Sequence, residues 1–246
     1  IDNKTELFIL EKITKKGHVI LDLNLNFDES GSIQDDYNIK GILKDGKIKI
    51  LKDINFEKIN FLFNLKKNNF LFEEINFTTH KVNFFSNTLK IKKKKNSFLF
   101  NGEINNRKST FTQKFSKLIK LNLSDFNFKN INFASKNNFS FELDNKLEIK
   151  NLILQSDADI AQLEYIAGDP ILDYFPEVNK IILLKDHKLK LNYKKEQLSI
   201  EGEGKIQLEE KFNKIQYFIS KNKDNLNITS DLIIEKKNLK KQEFIK

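Results

Sequence analysis

The residues best suited to chemistry in this chain are few and scattered. Its three histidines are His18, His80 and His187, each alone in its own stretch of sequence. His80 follows Thr78-Thr79 and His187 follows Asp186, but neither belongs to an HExxH helix or a His-x-His pair that would grip zinc. Isolated histidines of this kind read as surface groups or as satisfied members of a core. Asp157 and Asp159 are close enough to act as paired carboxylates. Capping a helix start is the simpler use, because free N–H groups there favour a negative charge. Gly202-Glu203-Gly204-Lys205 lacks the GxxxxGK[ST] spacing of a phosphate cradle. Its glycines read instead as a bend or a thin place in a sheet. The chain contains no cysteine, which removes thiolate metal sites, cysteine nucleophiles and a disulfide framework. That absence also suits a compartment where free thiols would be oxidised. No catalytic residue, metal ligand or cofactor is expected, and the chain reads as non-enzymatic.

Charge raises a different possibility. Lys+Arg number 43 against 34 Asp+Glu, a formal +9, yet Arg107 is the single arginine. The run Lys92-Lys93-Lys94-Lys95 beside Phe98 and Phe100 has the ingredients of a basic loop next to a base-stacking platform. Base readout favours arginine, and lysine here is spread over almost every turn. The lysines therefore read as a solvated face, and nucleic acid is not an expected partner.

The elements that must position all these residues follow a period of two. In Gly17–Phe27, Val19, Leu21, Leu23, Leu25 and Phe27 alternate with Asp22, Asn24 and Asn26. Successive strand side chains point to opposite faces, so one face is apolar and the other wet. The pattern returns at Ile59-Phe61-Phe63-Leu65, Phe98-Phe100-Gly102-Ile104, Phe139-Phe141-Leu143, Leu147-Ile149, Leu189-Leu191-Tyr193, Ile215-Tyr217-Ile219 and Leu232-Ile234. Weaker copies lie at Ile39–Leu43, Lys47–Leu51, Phe70–Phe77, Leu89-Ile91 and Leu121-Leu123. Roughly fourteen strands spaced about ten to thirteen residues apart have the cadence of an antiparallel meander. Lys44-Asp45-Gly46-Lys47 predicts a tight hairpin turn. Asn and Asp supply most other turns, since they tolerate the left-handed region and glycine is scarce.

Two stretches depart from that pattern. Ser156–Glu177 places Ile160, Leu163, Tyr165 and Ile166 near a helical stripe, with Asp157 or Asp159 as cap, Gly168 as stop and Pro170 opening a second short turn. Thr112–Lys120 is a weaker helix candidate. The expected organisation is therefore a β-meander over residues 1–155, a short helical insert over 156–178, and a continuation of the sheet over 179–246.

A sheet of this breadth has a surface problem. Fourteen strands at about 4.8 Å spacing span on the order of 65 Å, so one face carries on the order of 1,700 Å² of mostly apolar surface. A soluble monomer rarely leaves more than about 300–600 Å² of contiguous apolar patch exposed. The face must close on itself as a sandwich or barrel, or curl around something apolar. The 23 phenylalanines would line a trough well, whereas a packed sandwich favours interlocking Val, Ile and Leu. An outer-membrane barrel should carry aromatic girdles, and with no Trp, five Tyr and lysine on most strands the chain does not suggest one. No apolar run exceeds four residues, the length of Ile181–Leu184, which is far too short for a membrane-spanning helix.

Particular stretches carry a family likeness. Gly17-His18-Val19-Ile20-Leu21-Asp22, Phe27-Asp28-Glu29-Ser30-Gly31, Tyr37-Asn38-Ile39-Lys40-Gly41 and Asp45-Gly46 form one set. Leu172-Asp173-Tyr174-Phe175-Pro176 and Leu198-Ser199-Ile200-Glu201-Gly202-Glu203-Gly204 form a second. Together these resemble the AsmA-like family, in particular its YhdP-type and TamB-type members in Gram-negative bacteria. The resemblance implies an all-β, mostly antiparallel fold, an elongated curved or U-shaped β-groove with a short helical insert. It implies a section of a periplasmic bridge that carries phospholipid acyl chains between inner and outer membranes. An anchor in the inner membrane is expected to lie outside this segment. Groove-lining candidates are Leu23, Leu25, Phe61, Phe63, Phe98, Phe100, Phe139, Phe141, Leu191 and Ile200. Expected partners are phospholipid, both membranes, and neighbouring segments of the same polypeptide through sheet edges. The alternative is a structural β-sandwich or scaffold segment of a bacterial envelope protein.

Overall fold

The structure is a computed structural model that describes residues 14–34, 36–51, 54–110, 128–146, 148–167, 180–207, 211–222 and 225–233. These form twelve strands. They are β1 (Thr14–Asn24), β2 (Asn38–Leu51), β3 (Ile54–Lys66), β4 (Asn69–Thr79), β5 (Val82–Lys93) and β6 (Ser97–Thr110), then β7 (Phe128–Asp144), β8 (Ile149–Ile166), β9 (Ile181–Lys194), β10 (Gln197–Gln207), β11 (Phe212–Asn222) and β12 (Asn225–Ile233). All belong to one antiparallel sheet whose spatial order is the order of the chain. β1 and β12 are its two ends, so the sheet is open and not closed into a barrel. Extensive strand contacts run only between sequence neighbours. No second layer faces the sheet among the described residues.

This result corrects the expected architecture. There is no helix among the described residues, and Ser156–Ile166, the first half of the expected insert, is the C-terminal part of β8. The helical stripe lost because period two was present as well. Ser156, Ala158 and Ile160 alternate with Asp157 and Asp159, and β7 and β9 satisfy this backbone from both sides. Tertiary ladder bonds override the local helix preference of Ala-Gln-Leu-Glu. Residues 168–177 of that insert, with Gly168 and Pro170, lie outside the described residues, as do Thr112–Lys120 and Leu121-Leu123.

The strand count also changes for a physical reason. Ile39–Leu43 and Lys47–Leu51 are one strand, because Asp45-Gly46 makes no hairpin. Asp45 takes a left-handed φ of 52°, and the pairing with β3 shifts register between Leu43 and Gly46. The positive φ is spent on a β-bulge, which bends the strand without reversing it. A Cβ on Gly46 would press on the side chains of Leu43 and Ile59, both buried. Lys58, Glu74, Asn130, Asn151 and Asp186 are further mid-strand residues at positive φ. Conversely, His80-Lys81 and Lys195-Glu196 turn two tight hairpins with positive φ at both residues, a geometry usually signalled by Asn-Gly. Nothing in their types announces those turns.

Carboxylates organise two of the longer connections. Asp28 Oδ1 accepts from the Ser30 and Ser32 amides at 2.9 Å each. Asp144 Oδ1 accepts from the Lys146 and Glu148 amides at 2.9 and 3.0 Å, while its Oδ2 pairs with Lys150 Nζ at 2.6 Å. Lys150 first, then the turn amides, hold the Asp144 carboxyl down at about 2.

Gly202 and Gly204 on β10 make room for rings. A Cβ on Gly202 would overlap the Tyr217 ring, and one on Gly204 would overlap His187. The Gly-x-Gly pair therefore lets two neighbouring aromatic side chains lie flat across β10. Gly202→Val should destabilise the protein by about 1–3 kcal/mol in denaturant unfolding, as overpacking does. Adding Tyr217→Ser in the same chain should recover much of that loss. An unchanged midpoint for the single variant would show that Tyr217 does not occupy this space.

Candidate functional site: the apolar face of the sheet

Register decides where the apolar residues meet. Leu23 pairs with Ile39, Ile39 with Leu65, Leu65 with Phe70, Phe70 with Ile91, Ile91 with Phe100 and Phe100 with Phe141. One row over, Phe63 pairs with Phe72, Phe72 with Leu89, and Phe139 with Leu154, Tyr193 and Leu198 in succession. Leu191 faces Ile200, then Ile219, then Ile228 on the last strand. An apolar band thus crosses the sheet from β1 to β12 on a single face.

The candidate lining residues fall into this band in groups. Phe61 and Phe63 pack edge to face at 5.9 Å, and Phe61 meets Phe72 at 5.3 Å. Phe100 stacks on Phe141 at 4.7 Å, and Phe139 lies 5.8 Å from Phe141. Phe98 pairs with Leu143 on the same row end. Leu191 and Ile200 are directly opposed, and Leu23 heads the band on the edge strand, 53% exposed. Leu25 lies past the end of β1, in the connection that carries the Phe27–Ile33 bridge. Apart from exposed Leu23, these residues are all half-buried. Phe70, Phe72, Leu89, Ile91, Leu154, Tyr193, Leu198 and Ile219 belong to the same band. Their alternation was visible in sequence, but only pairing shows that they are its members.

The face is not apolar throughout. Asn106, Ser135, Asn137 and Ser156 share it and bind one another: Ser135 Oγ donates to Asn106 Oδ1 at 2.5 Å and Ser156 Oγ to Asn137 Oδ1 at 2.6 Å. Asn137 Nδ2 donates to Ser135 Oγ and to the Ile104 carbonyl at 2.9 and 2.7 Å. A satisfied network of this kind keeps its polar atoms occupied within the sheet. It interleaves with a compact knot of Val82, Phe84, Phe77, Ile104 and Phe133, in which Phe84 faces Asn106 and Ile104 faces Asn137.

The opposite face carries charge. Lys136 faces Asp157, Asp157 faces Lys190, and Lys190 faces Glu201, while Lys188 lies between Asp159 and Glu203. Opposite charges facing across strands favour this register over a one-residue slip. Asp157 and Asp159 are therefore rungs of a strand ladder and not helix caps. Two shallow basins of about 600 and 660 Å³ lie mainly on this charged side, one around Lys90, Asn101 and Glu103 and one around Lys190, Glu201 and Gln216. Of the lysine run, Lys94 is ion-paired to Glu142.

His187 is the one histidine drawn into the interior, only 2% exposed. Its Nε2 lies 3.0 Å from the Lys205 carbonyl, which can only accept, so Nε2 carries the proton. Nδ1, 3.2 Å from Tyr217 Oη, then accepts from the phenol. Both ring nitrogens are used, so this pair holds β9, β10 and β11 together. Burial pushes the His187 imidazole below its ordinary 6.5 and the Tyr217 phenol up to about 12. His80 sits in a turn with Nδ1 3.0 Å from Thr79 Oγ1, and His18 is exposed on β1. Among the described residues no group of His, Asp and Glu side chains converges as metal ligands.

A depressed histidine gives a defined pH dependence. The unfolded chain takes up a proton near pH 6.5 that the folded chain resists. Stability from this group is complete above pH 6.5 and falls as pH drops from there towards the lower folded value. Thermal melts of the native chain between pH 7.5 and 5 should show this decline, and His187→Asn, already destabilised, should show a flatter profile. Identical slopes for the two would remove His187 from the account.

Comparison with known proteins finds no matching family model, no matching curated protein and no matching solved structure.

Proposed function

We propose that this chain is a non-catalytic β-scaffold segment of an envelope protein, a single-layer sheet that holds partners against its surfaces. One observation carries the reading: the strands pair only in sequence order, and no layer of the chain covers either face among the described residues. A two-layer sandwich buries its inner positions, whereas here just seven apolar side chains are buried among the described residues. A sheet whose side chains are mostly engaged with their cross-strand neighbours, with shallow basins mainly on its charged side, has the surfaces of a support. Solution scattering tests this directly. A compact chain of this length has a radius of gyration of about 18 Å, and the single-layer sheet should exceed that clearly. A value near it would mean that the sheet folds back on itself as a sandwich.

A second reading has its own support, the unbroken band of Phe, Leu and Ile from Leu23 to Ile228. We propose that phospholipid acyl chains are a fitting occupant of this band, as the AsmA-like resemblance implies, with the periplasm as the compartment. Each methylene moved out of water contributes about 0.8 kcal/mol, and successive strands offer similar aromatic and aliphatic surface. Purified protein should then release phospholipid in native mass spectrometry. Phe63→Asp and Phe141→Asp place a charge in the band and should each lower retained lipid about tenfold, the equivalent of 1.4 kcal/mol. Lipid-free protein at high purity, or undiminished lipid in both variants, would discard this reading and leave the scaffold standing.

A further inference from the structure

We propose that the edge of β12, which no other strand among the described residues pairs with, takes up β1 of a second copy of this chain, in one register, so that copies join head to tail into a continuous sheet. The inference deepens the scaffold reading by naming the partner of its edges, and it rests on the open sheet which that reading describes.

Natural edge strands are usually blunted by lysine, proline or a bulge. β12, Asn-Leu-Asn-Ile-Thr-Ser-Asp-Leu-Ile, has none of these: it pairs with β11 over all nine residues without a shift, and Asp231 is its single charge. β1 carries both lysines and register shifts in its first part, Thr14 to His18, and pairs with β2 without a shift from His18 to Asn24, the part that would join β12. Both edges display large apolar side chains. Val19, Leu21 and Leu23 on β1 are 53, 52 and 53% exposed, and Ile228 and Leu232 on β12 are 63 and 40% exposed.

Strand number and face then restrict the geometry. With twelve antiparallel strands, β12 runs opposite to β1. A second copy in the same orientation therefore offers β1 antiparallel to β12, the relation found at every other junction of the sheet. Keeping the apolar face continuous limits the register to even shifts, and the proposed one carries the Ile228 row straight into the Leu23 row: Ile228 opposite Leu23 of the second copy, Ser230 opposite Leu21 and Leu232 opposite Val19. On the other face, Asn227 meets Asn24, Thr229 meets Asp22 and Ile233 meets His18. The Leu191–Ile200–Ile219–Ile228 row would run directly into the Leu23–Ile39–Leu65 row of the next copy. A two-fold pairing of β12 with β12, or of β1 with β1, would leave one bare edge on each molecule. Head-to-tail pairing leaves none in the interior of the array.

The absence of cysteine makes the register measurable. Directly opposed residues in an antiparallel pair have Cα atoms about 4.5–5.5 Å apart, within disulfide range. Full-length chains carrying Leu21→Cys and Ser230→Cys, mixed and mildly oxidised, should form a covalent heterodimer, and the double variant should form a ladder of oligomers. Asp22→Cys points to the other face, and mixed with Ser230→Cys it should cross-link several-fold less. All three positions are exposed, so circular dichroism should report an unchanged sheet. A dimer from Ser230→Cys alone would establish β12–β12 pairing and overturn the proposal. So would the absence of any cross-link in chains that circular dichroism shows to be folded. Scattering and lipid retention are read on dilute, unlinked protein, so failure of the edge pairing and failure of the scaffold reading are separate results.

Discussion

Cross-strand register is the constraint on which the rest of this molecule depends. Each strand alternates apolar and polar residues, but alternation alone makes only twelve separate amphipathic ribbons. Pairing Leu65 with Phe70, Ile91 with Phe100 and Phe139 with Leu154 puts the apolar half of every ribbon on the same side. A slip of one residue at any junction would turn the following strands over and break the band. The charged rungs on the opposite face, Lys136–Asp157–Lys190–Glu201, favour the same register, so both faces agree on one alignment.

Stability in such a sheet is distributed along its length. Among the described residues no central core seals it. Small knots do the local work: Val82 and Phe84 with their aromatic neighbours, the Asn106–Ser135–Asn137–Ser156 network, and His187 held between the Lys205 carbonyl and Tyr217. Each joins two or three adjacent strands. Contacts that are local in sequence favour folding by stepwise addition of hairpins, because closing short loops loses little chain entropy.

The same feature accounts for the functional reading. Among the described residues no second layer covers the apolar face and no strand pairs with the outer edges of β1 and β12. Several titratable residues are absorbed into structure. Asp157 and Asp159 are strand rungs, His187 is a clamp, and the Gly202-Glu203-Gly204 stretch is floor space for two rings.

Period two, the turn-rich antiparallel cadence and the identity of the apolar residues could all be read from the amino-acid sequence by itself, because strand side chains alternate whatever their partners are. The positions of its reversals could not. Asp45-Gly46 carries the local signature of a hairpin yet forms a bulge inside β2, while His80-Lys81 and Lys195-Glu196 carry no signature and form the hairpins. A left-handed φ is a local property, but whether it bends a strand or reverses it depends on the neighbour that the backbone can pair with. Ser156–Ile166 shows the same limit: its helical stripe and its alternation were both legible, and ladder bonds from β7 and β9 chose between them. Only tertiary structure decided that choice, the joining of scattered Phe and Leu into one band, and the single layer that the described residues form, because each is a relation between strands and not a property of any one of them.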